Sequence, residues 1–493
     1  MLSTVRPEEV GISSTHVFEL LASLEKRGLH MHSLLLMRGE NIFLDCYWAP
    51  FHKQLPHRMY SVTKRFVSVA VGLCAEDGLI DLDGRIADYF PEKIDTPVCE
   101  NLKKQTVREM LTMTTAAHIP SWFEAGDSDR THLYFSNLGK RRPSGTLWEY
   151  DSAGSQVLSA LVEKITGVPL FDFLNQRIFK HLGSFQNAKI LKTPNGDSWG
   201  DSAMICTPRD LAAFARFVMN YGVWNGQRLM NEQYLRTATS PVVQNRQNGH
   251  GGLFYHGYGY QFWMTEDNGF AFNGMGDQLA ICMPKQDLIM VCTADNQGNA
   301  FSKDYLAAQF LDRIVANVWD MPLPQNDTAY QRLETLSHSL SLFSLKGGSD
   351  SPLRQSLNDA IYLCEENPMG WRSFSFHFED AHSGELRYIN RHGEMVLPFF
   401  VNENRFGLFP EEGYSKDVGG VRTTDGHRYR DAVSLTWTQD NKILLFAQII
   451  DEYFGNLSLT FAFCNDLAMI CASHSAEDFL WEYRGEALAK RIQ

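Results

Sequence analysis

Ser61-Val62-Thr63-Lys64 places a hydroxyl and an amine three residues apart, at the start of an apolar stretch running to Cys74 with Gly78 as its stop. On a helix, residues three apart share one face. At the first turn, Ser61 also lies near backbone N–H groups that lack a helical partner. A lysine held against a serine hydroxyl in a dry cleft is driven toward its neutral form and can take the hydroxyl proton. The spacing alone is common, because Ser23-Leu24-Glu25-Lys26 matches it too. That second pair sits on a highly charged amphipathic helix and reads as a solvated face. Only Lys64 precedes a helix that looks buried. The plain alternative for Ser61 and Lys64 is a helix cap with a surface lysine.

Ser144-Gly145-Thr146-Leu147-Trp148-Glu149-Tyr150-Asp151-Ser152 leads into a helical run and puts Tyr150 on the connection entering it. A phenol near a lysine ammonium has its pKa lowered, because the cation favours phenolate. Such a group could relay a proton between Ser61 and a leaving group. Ser152 could donate a hydrogen bond into the same cleft, or cap the helix that starts there. A purely structural Tyr150 is the competing reading.

For these groups to meet, distant segments must come together. Residues 11–28 read as an amphipathic helix. Residues 33–36 and 41–46 flank Arg38-Gly39-Glu40, a hairpin signal; residues 278–283 and 288–292 flank Pro284-Lys285-Gln286-Asp287. Between the hairpins the apolar spacing predicts helices over 61–76, 105–113, 152–166, 170–180, 208–220 and 232–238, with another near 303–318. The fold class is therefore α/β (α+β), an antiparallel sheet of sequence-distant strands flanked by helices, with a helical insertion at about 85–235. Residues 321–353 hold Pro322, Pro324, Gly347, Gly348 and Pro352 and form the best boundary, although 326–345 leaves room for a short helix. Beyond it, Phe374, Phe376 and Phe378 alternate with Ser373, Ser375 and His377. Leu435 with Trp437, and the apolar runs 443–450 and 457–463, repeat the idea, which predicts a small antiparallel barrel or sandwich. The expected domains are 1–330 and 353–493, the second a β-rich, lipocalin-like accessory domain. Shaping the cleft entrance, limiting substrate size and mediating dimerisation all remain open for it.

The 493 residues carry 44% apolar and 21% charged types, ordinary for a globular chain. The net charge of −13 argues against nucleic acid or an anionic membrane as partner. No apolar run is long enough to span a bilayer and no export segment opens the sequence, so the expected location is the cytoplasm. Nine cysteines make no disulfide framework; Cys46, Cys74, Cys206, Cys282, Cys292 and Cys464 sit in apolar surroundings and read as buried thiols. His118, His132 and His256 are too widely spaced for a metal site, and Gly251-Gly252 and Gly257-Tyr258-Gly259 lack the context of a phosphate loop. Asp210, in Thr207-Pro208-Arg209-Asp210, reads as a helix-start residue. No cofactor or metal is expected.

Four stretches in order resemble the serine beta-lactamase and penicillin-binding-protein superfamily, in its class C beta-lactamase-like esterase and peptidase branch. They are Tyr60-Ser61-Val62-Thr63-Lys64; Leu79-Ile80-Asp81-Leu82-Asp83 with Val107 through Thr115; Ser144-Gly145-Thr146 through Gly154; and Gly274-Met275-Gly276-Asp277-Gln278 running to Pro284. The resemblance spans about residues 5–320. It implies that Ser61 is acylated and that Lys64 and Tyr150 jointly move the proton. It places the third motif at Phe272-Asn273-Gly274, with the Met275 and Ser61 N–H groups as oxyanion donors; Gly276 or Asp277 would take the role if the register slips.

Two departures shape the expected function. Ser152 replaces the family's Asn, and Phe272 replaces its Lys or His. Both losses weaken a beta-lactamase or D,D-peptidase reading and favour a small ester or amide, with Phe272 read as an apolar edge for an acyl or alkyl group. A carboxylate substrate would need another cation; Arg65, Arg141 and Arg142 are the candidates, all expected at the surface. The leading expectation is a serine hydrolase, carboxylesterase-like. The alternatives are a D-amino-acid peptidase or weak beta-lactamase, and a non-catalytic ligand-binding or beta-lactam-sensing member. The partner is a small ester, amide or short peptide, and a homo-oligomer stays open.

Overall fold

The computed structural model describes residues 2–94, 98, 100–116, 129–136, 142–246, 252, 254–421, 423, 425–476 and 480–492. The chain divides into two compact units, Met1–Ser341 with Asp417–Gly419, and Leu342–Lys416 with Gly420–Gln493.

The first unit is built on a seven-stranded sheet. Its strands are β1 (Ser3–Thr4), β2 (Met31–Arg38), β3 (Asn41–Tyr47), β4 (Trp263–Met264), β5 (Phe270–Gly274), β6 (Gln278–Met283) and β7 (Leu288–Ala294), in spatial order β1-β3-β2-β7-β6-β5-β4. Only β1 pairs in parallel, with β3. The central seam joins β2 to β7, with Met37 opposite Ile289 and Leu35 opposite Val291. Every residue of β6 and β7 is buried, as is all of β2 except Arg38. Both faces are covered, so these strands read as continuous apolar runs rather than alternating ones.

On one face lies α1 (Ser14–Arg27), which buries Val17, Leu20, Leu21 and Leu24, spaced for one helical stripe, and stops at Gly28 with φ 67°. It shares a core with Leu34, Leu279, Ile281, Met290 and with Leu306 and Phe310 of a later helix. The segment between β3 and β4 carries α2 (Thr63–Glu76), α3 (Val107–Leu111), α4 (Ser152–Thr166), α5 (Pro208–Met219) and α6 (Glu232–Ala238). After β7 come α7 (Ser302–Arg313) and α8 (Asp327–Ser339). α2 is buried from Thr63 to Cys74. The capping box of Thr207 and Asp210, with Pro208 in the first turn, starts α5, as the sequence predicts. The predicted 170–180 helix is interrupted by a widened π turn at Asn175–Phe179. Ser23 donates to the Leu20 carbonyl and Lys26 is exposed, so the decoy pair is a solvated face.

In the second unit, nine of the ten strands from Tyr362–Cys364 to Gly485–Arg491 close into a barrel, and the tenth, Arg405–Glu412, pairs outside the ring. The closing pair is parallel, Phe400 opposite Ser434 and Val401 opposite Leu435. The predicted alternation at Phe374, Phe376 and Phe378 puts those rings inside, where Phe376 and Phe461 stand 4.9 Å apart edge to face and Tyr362 stacks on Phe374 at 5.0 Å. Cys464, expected buried, is exposed at the end of its strand, whereas Cys46, Cys74, Cys206, Cys282 and Cys292 are buried free thiols. Among the described residues no helix is long and apolar enough to cross a membrane.

Three histidines are packed in the first unit. His32 stacks on Phe51 at 3.9 Å and lies 5.4 Å from His57. Burial pushes His30 down to about 4 and His57 to about 3, against an ordinary 6.5. Between those limits the unfolded chain takes up protons that the native state refuses, so stability falls as pH drops below 6.5. Each histidine contributes at most about 1.4 kcal/mol per pH unit. Denaturant melts at pH 7 and pH 5 are expected to show His57→Gln losing one histidine's share of that slope.

Candidate active site

A short turn, Tyr60–Val62, delivers Ser61 to the start of α2. Tyr60 has φ 45°, a left-handed conformation that a bulky aromatic residue seldom adopts. The turn is held by the Thr63 hydroxyl, which donates to the Tyr60 carbonyl at 2.6 Å and accepts from the Met204 N–H at 3.0 Å. Ser61 is half-buried, while Lys64 is fully buried. The Lys64 Nζ donates to the Ser61 Oγ at 3.0 Å and to the Asp201 main-chain carbonyl at 2.8 Å. These two bonds fix the amine beside the hydroxyl.

Tyr150 reaches the same point from the connection before α4. Its ring centroid lies 5.0 Å from the Lys64 Nζ, and its ring stacks on Trp263 at 5.6 Å. Burial raises the phenol pKa, but the Lys64 and Arg65 charges and hydrogen bonds with Ser61 and Lys64 outweigh it, so the net shift is downward. The connection is tied to the segment after α3: Glu149 N–H to Met113 O at 3.0 Å, Gly145 N–H to Thr114 O at 2.8 Å, and the Thr115 hydroxyl to Asp151 at 2.8 Å. The α3 region is anchored in turn to the Leu79–Asp83 stretch, by Arg108 N–H to Leu82 O at 2.7 Å and an Arg108–Asp83 ion pair.

The strand end β5 closes the other side. A Cβ on Gly274 would meet the Met59 carbonyl at 2.5 Å and the Val62 side chain at 3.3 Å, so only glycine lets the strand lie against the serine turn. Past it, Gly276 and Asp277 turn back with φ 73° and 71°. The Gln278 side chain braces this turn, donating to Met275 O at 3.1 Å and Ala294 O at 2.6 Å. Asn273 and Met275 line a cavity of about 530 Å³ with Trp263, Asn296, Lys303 and Asp304.

Three expectations need correction. Phe272 is no apolar edge for a substrate. The strand's period of two sends it, with Phe270, to the face that α5 covers, where it is fully buried against Phe262 and Phe214. Asn273 faces the cavity instead. Ser152 does not cap α4; Asp151 does, accepting from the Gly154 N–H at 2.8 Å, and Ser152 is the first helical residue. Arg65 is not at the surface but fully buried, with Nη1 donating to Ser61 O at 2.6 Å. Arg142 is partly buried and pairs with Glu149 at 2.6 Å. Arg141, His118 and Gly251 lie outside the described residues. Asp201, buried on the far side of Lys64, is a further residue the sequence did not single out; burial raises its carboxyl pKa against the Lys64, Arg130 and Arg58 charges. His132 and His256 lie on separate segments, and among the described residues the His and acid side chains that do converge as a trio, His392, Glu411 and Glu482, belong to the second unit.

A sheet of distant strands with a Ser-x-x-Lys turn pressed against its edge defines the class of serine beta-lactamases and penicillin-binding-protein-like hydrolases. The family model described as beta-lactamase matches residues 22–312, and the chain belongs to that family, as a hydrolase of the serine beta-lactamase fold. The 6-aminohexanoate-dimer hydrolase of Paenarthrobacter ureafaciens is 24% identical over 261 residues, 50% of this chain and 67% of that one. An uncharacterized protein of Alkalihalophilus pseudofirmus is 21% identical over 318 residues, 56% of this chain and 87% of that one. The crystal structure of a penicillin-binding protein homologue from Caulobacter crescentus superposes with a TM-score of 0.52 at 16% identity, covering 62% of this chain and 97% of the other, a likeness of fold.

Gly274→Ala is expected to push β5 off the serine turn and slow covalent labelling of the protein about 100-fold, the usual cost of misplacing a reacting group. Labelling rate by a fluorophosphonate, with a thermal melt alongside, measures this.

Proposed function

We propose that the protein is a serine hydrolase that cleaves small esters or amides through an acyl-enzyme on Ser61, with carboxylester cleavage as its leading activity. The observation that carries this is the fully buried Lys64 amine 3.0 Å from the Ser61 hydroxyl, with Tyr150 beside both. In this reading Ser61 Oγ attacks the carbonyl carbon, and its proton passes to the Lys64–Tyr150 pair. The N–H groups of Ser61 and Met275 hold the tetrahedral oxyanion. Tyr150 returns the proton to the leaving oxygen or nitrogen, and water repeats the cycle on the acyl-enzyme.

Amide cleavage is the second reading. It is favoured by the sequence likeness to a 6-aminohexanoate-dimer hydrolase and by the mixed lining of the cavity, where Asn273 and Asn296 stand with Lys303 and Asp304. Phe272 faces the core, so neither reading uses it to bind an acyl chain.

A fluorophosphonate is expected to label wild type at Ser61, and Ser61→Ala to abolish the label. Lys64→Ala and Tyr150→Phe should each slow it about 10²- to 10⁴-fold. Equal labelling of Ser61→Ala overturns the mechanism. Intact mass after exposure to p-nitrophenyl esters, linear amides, D-amino-acid amides and a chromogenic cephalosporin then ranks the substrate classes.

A further inference from the structure

In the second unit, three side chains from distant parts of the chain bring ligand atoms within 4.8 Å of one another: His392, Glu411 and Glu482. His392 lies in the two-residue turn between strands Ser383–Asn390 and Gly393–Val401. Glu411 lies on the outer strand Arg405–Glu412, and Glu482 in the segment before Gly485–Arg491. The His392 Nε2 and a Glu482 carboxylate oxygen stand 3.0 Å apart. A break in strand pairing brings Glu411 to them. The register shifts between Leu408 and Glu412, and Phe409, Pro410 and Glu411 are buried in succession. Such irregularities re-aim side chains, and this one turns a carboxylate inward.

The surroundings hold these groups in place. The Asn390 side chain donates to Glu411 Oε1 at 2.8 Å and accepts from the His392 N–H at 2.8 Å, so one buried residue sets both. The Tyr483 hydroxyl, next to Glu482 in sequence, also donates to Glu411 Oε1, at 2.6 Å, and meets the Tyr388 hydroxyl at 2.5 Å. Burial pushes both phenols up and the Glu411 charge adds to this, so both keep their protons. The bonds from Asn390 and Tyr483 both land on Oε1, and neither uses Oε2. Anchoring of this kind behind a carboxylate is what orients a metal ligand. The charges point the same way. Two carboxylates this close disfavour each other's ionised form. A protonated imidazole brings one positive charge against their two negative ones, whereas a divalent cation with a neutral imidazole balances the set.

We propose that His392, Glu411 and Glu482 form a binding site for a first-row divalent metal ion, zinc foremost, which fastens the second unit. An imidazole nitrogen beside carboxylate oxygens suits zinc and its neighbours, while magnesium and calcium take oxygen ligands. Zinc bonds to nitrogen and oxygen are about 2.0–2.2 Å long, which sets tetrahedral ligand atoms about 3.4 Å apart. The His392–Glu482 pair is near that spacing already, and the remaining separations close by side-chain rotation. The His392 side chain is 39% exposed, so an ion has a way in and the fourth position takes water. The ion joins the hairpin turn, the strand that pairs outside the ring and the approach to the last strand.

The full chain, stripped with EDTA, is titrated by calorimetry with zinc, magnesium and calcium chlorides, and melted with and without each, as wild type, His392→Ala, Glu482→Gln and Asn390→Ala. Wild type is expected to bind a single zinc at this site, about 100-fold or more tighter than magnesium or calcium, and to melt higher with zinc. His392→Ala and Glu482→Gln should each weaken zinc by about 100-fold or more. Asn390→Ala, which removes no ligand, should weaken it by about 10- to 100-fold. Cobalt(II) should give visible absorption bands in wild type that His392→Ala loses. An adventitious zinc elsewhere binds every variant alike, so an unchanged affinity in folded His392→Ala or Glu482→Gln overturns the proposal. Magnesium or calcium binding as tightly as zinc overturns it too. Where circular dichroism shows one variant unfolded, the other decides. Wild type whose melt does not rise with zinc overturns the proposal alone. No readout here involves Ser61, so the outcome is separate from the hydrolase reading.

Discussion

An amine and a guanidinium on consecutive residues, Lys64 and Arg65, are held out of water behind a half-exposed serine. Removing two such groups from solvent is among the most expensive acts a fold can perform. The surrounding structure offsets that cost with aimed dipoles and a phenol: the Asp201 carbonyl on Lys64, the Ser61 carbonyl on Arg65, and the Tyr150 ring 5.0 Å from the Lys64 amine. None of these partners is close in sequence to another, except through α2. The tertiary fold of the first unit is therefore a condition for the charge arrangement as well as a container for it.

Rigid elements meet that condition. α2 is buried along nearly its whole length, so the serine turn at its start has little room to drift. The connection carrying Tyr150 is tied down by backbone bonds from Gly145 and Glu149, by the Thr115–Asp151 bond and by the stack on Trp263. Gly274 lets the sheet edge touch the Ser61 turn. Left-handed backbone appears where these parts converge, strained at the bulky Tyr60, and taken up again at Gly276 and Asp277, residue types that tolerate it.

Much of this was legible in the residues. The Ser61–Lys64 spacing before an apolar helix, the two hairpins, the Thr207–Asp210 helix start and the alternating phenylalanines of the barrel each follow from short-range patterns, and each recurs in the structure. What the sequence hid depends on faces and neighbours. A strand buried on both sides gives no polar alternation to say which way Phe272 points. Helical spacing marks Lys64 as facing Ser61, but it does not reveal that Arg65, one step round the helix, is buried on the Ser61 carbonyl rather than set in solvent. Asp151 and Ser152 are equally good caps on paper; the Thr115 hydroxyl, distant in sequence, bonds to the first. Cys464 sits in an apolar run, yet the run ends at a turn and leaves it outside.

The central seam of the first sheet carries a consequence for biosynthesis. Met37 pairs with Ile42 within the hairpin, but across the seam it must wait for Ile289, and the Ser61 turn lies between them in sequence. As the chain leaves the ribosome, the β2–β3 hairpin emerges early with one long apolar edge and nothing to pair with. That edge must wait while the whole helical insertion is synthesised. Such long-range closure is slow, so this half of the protein depends on being shielded from sticky encounters until the β5–β7 meander arrives.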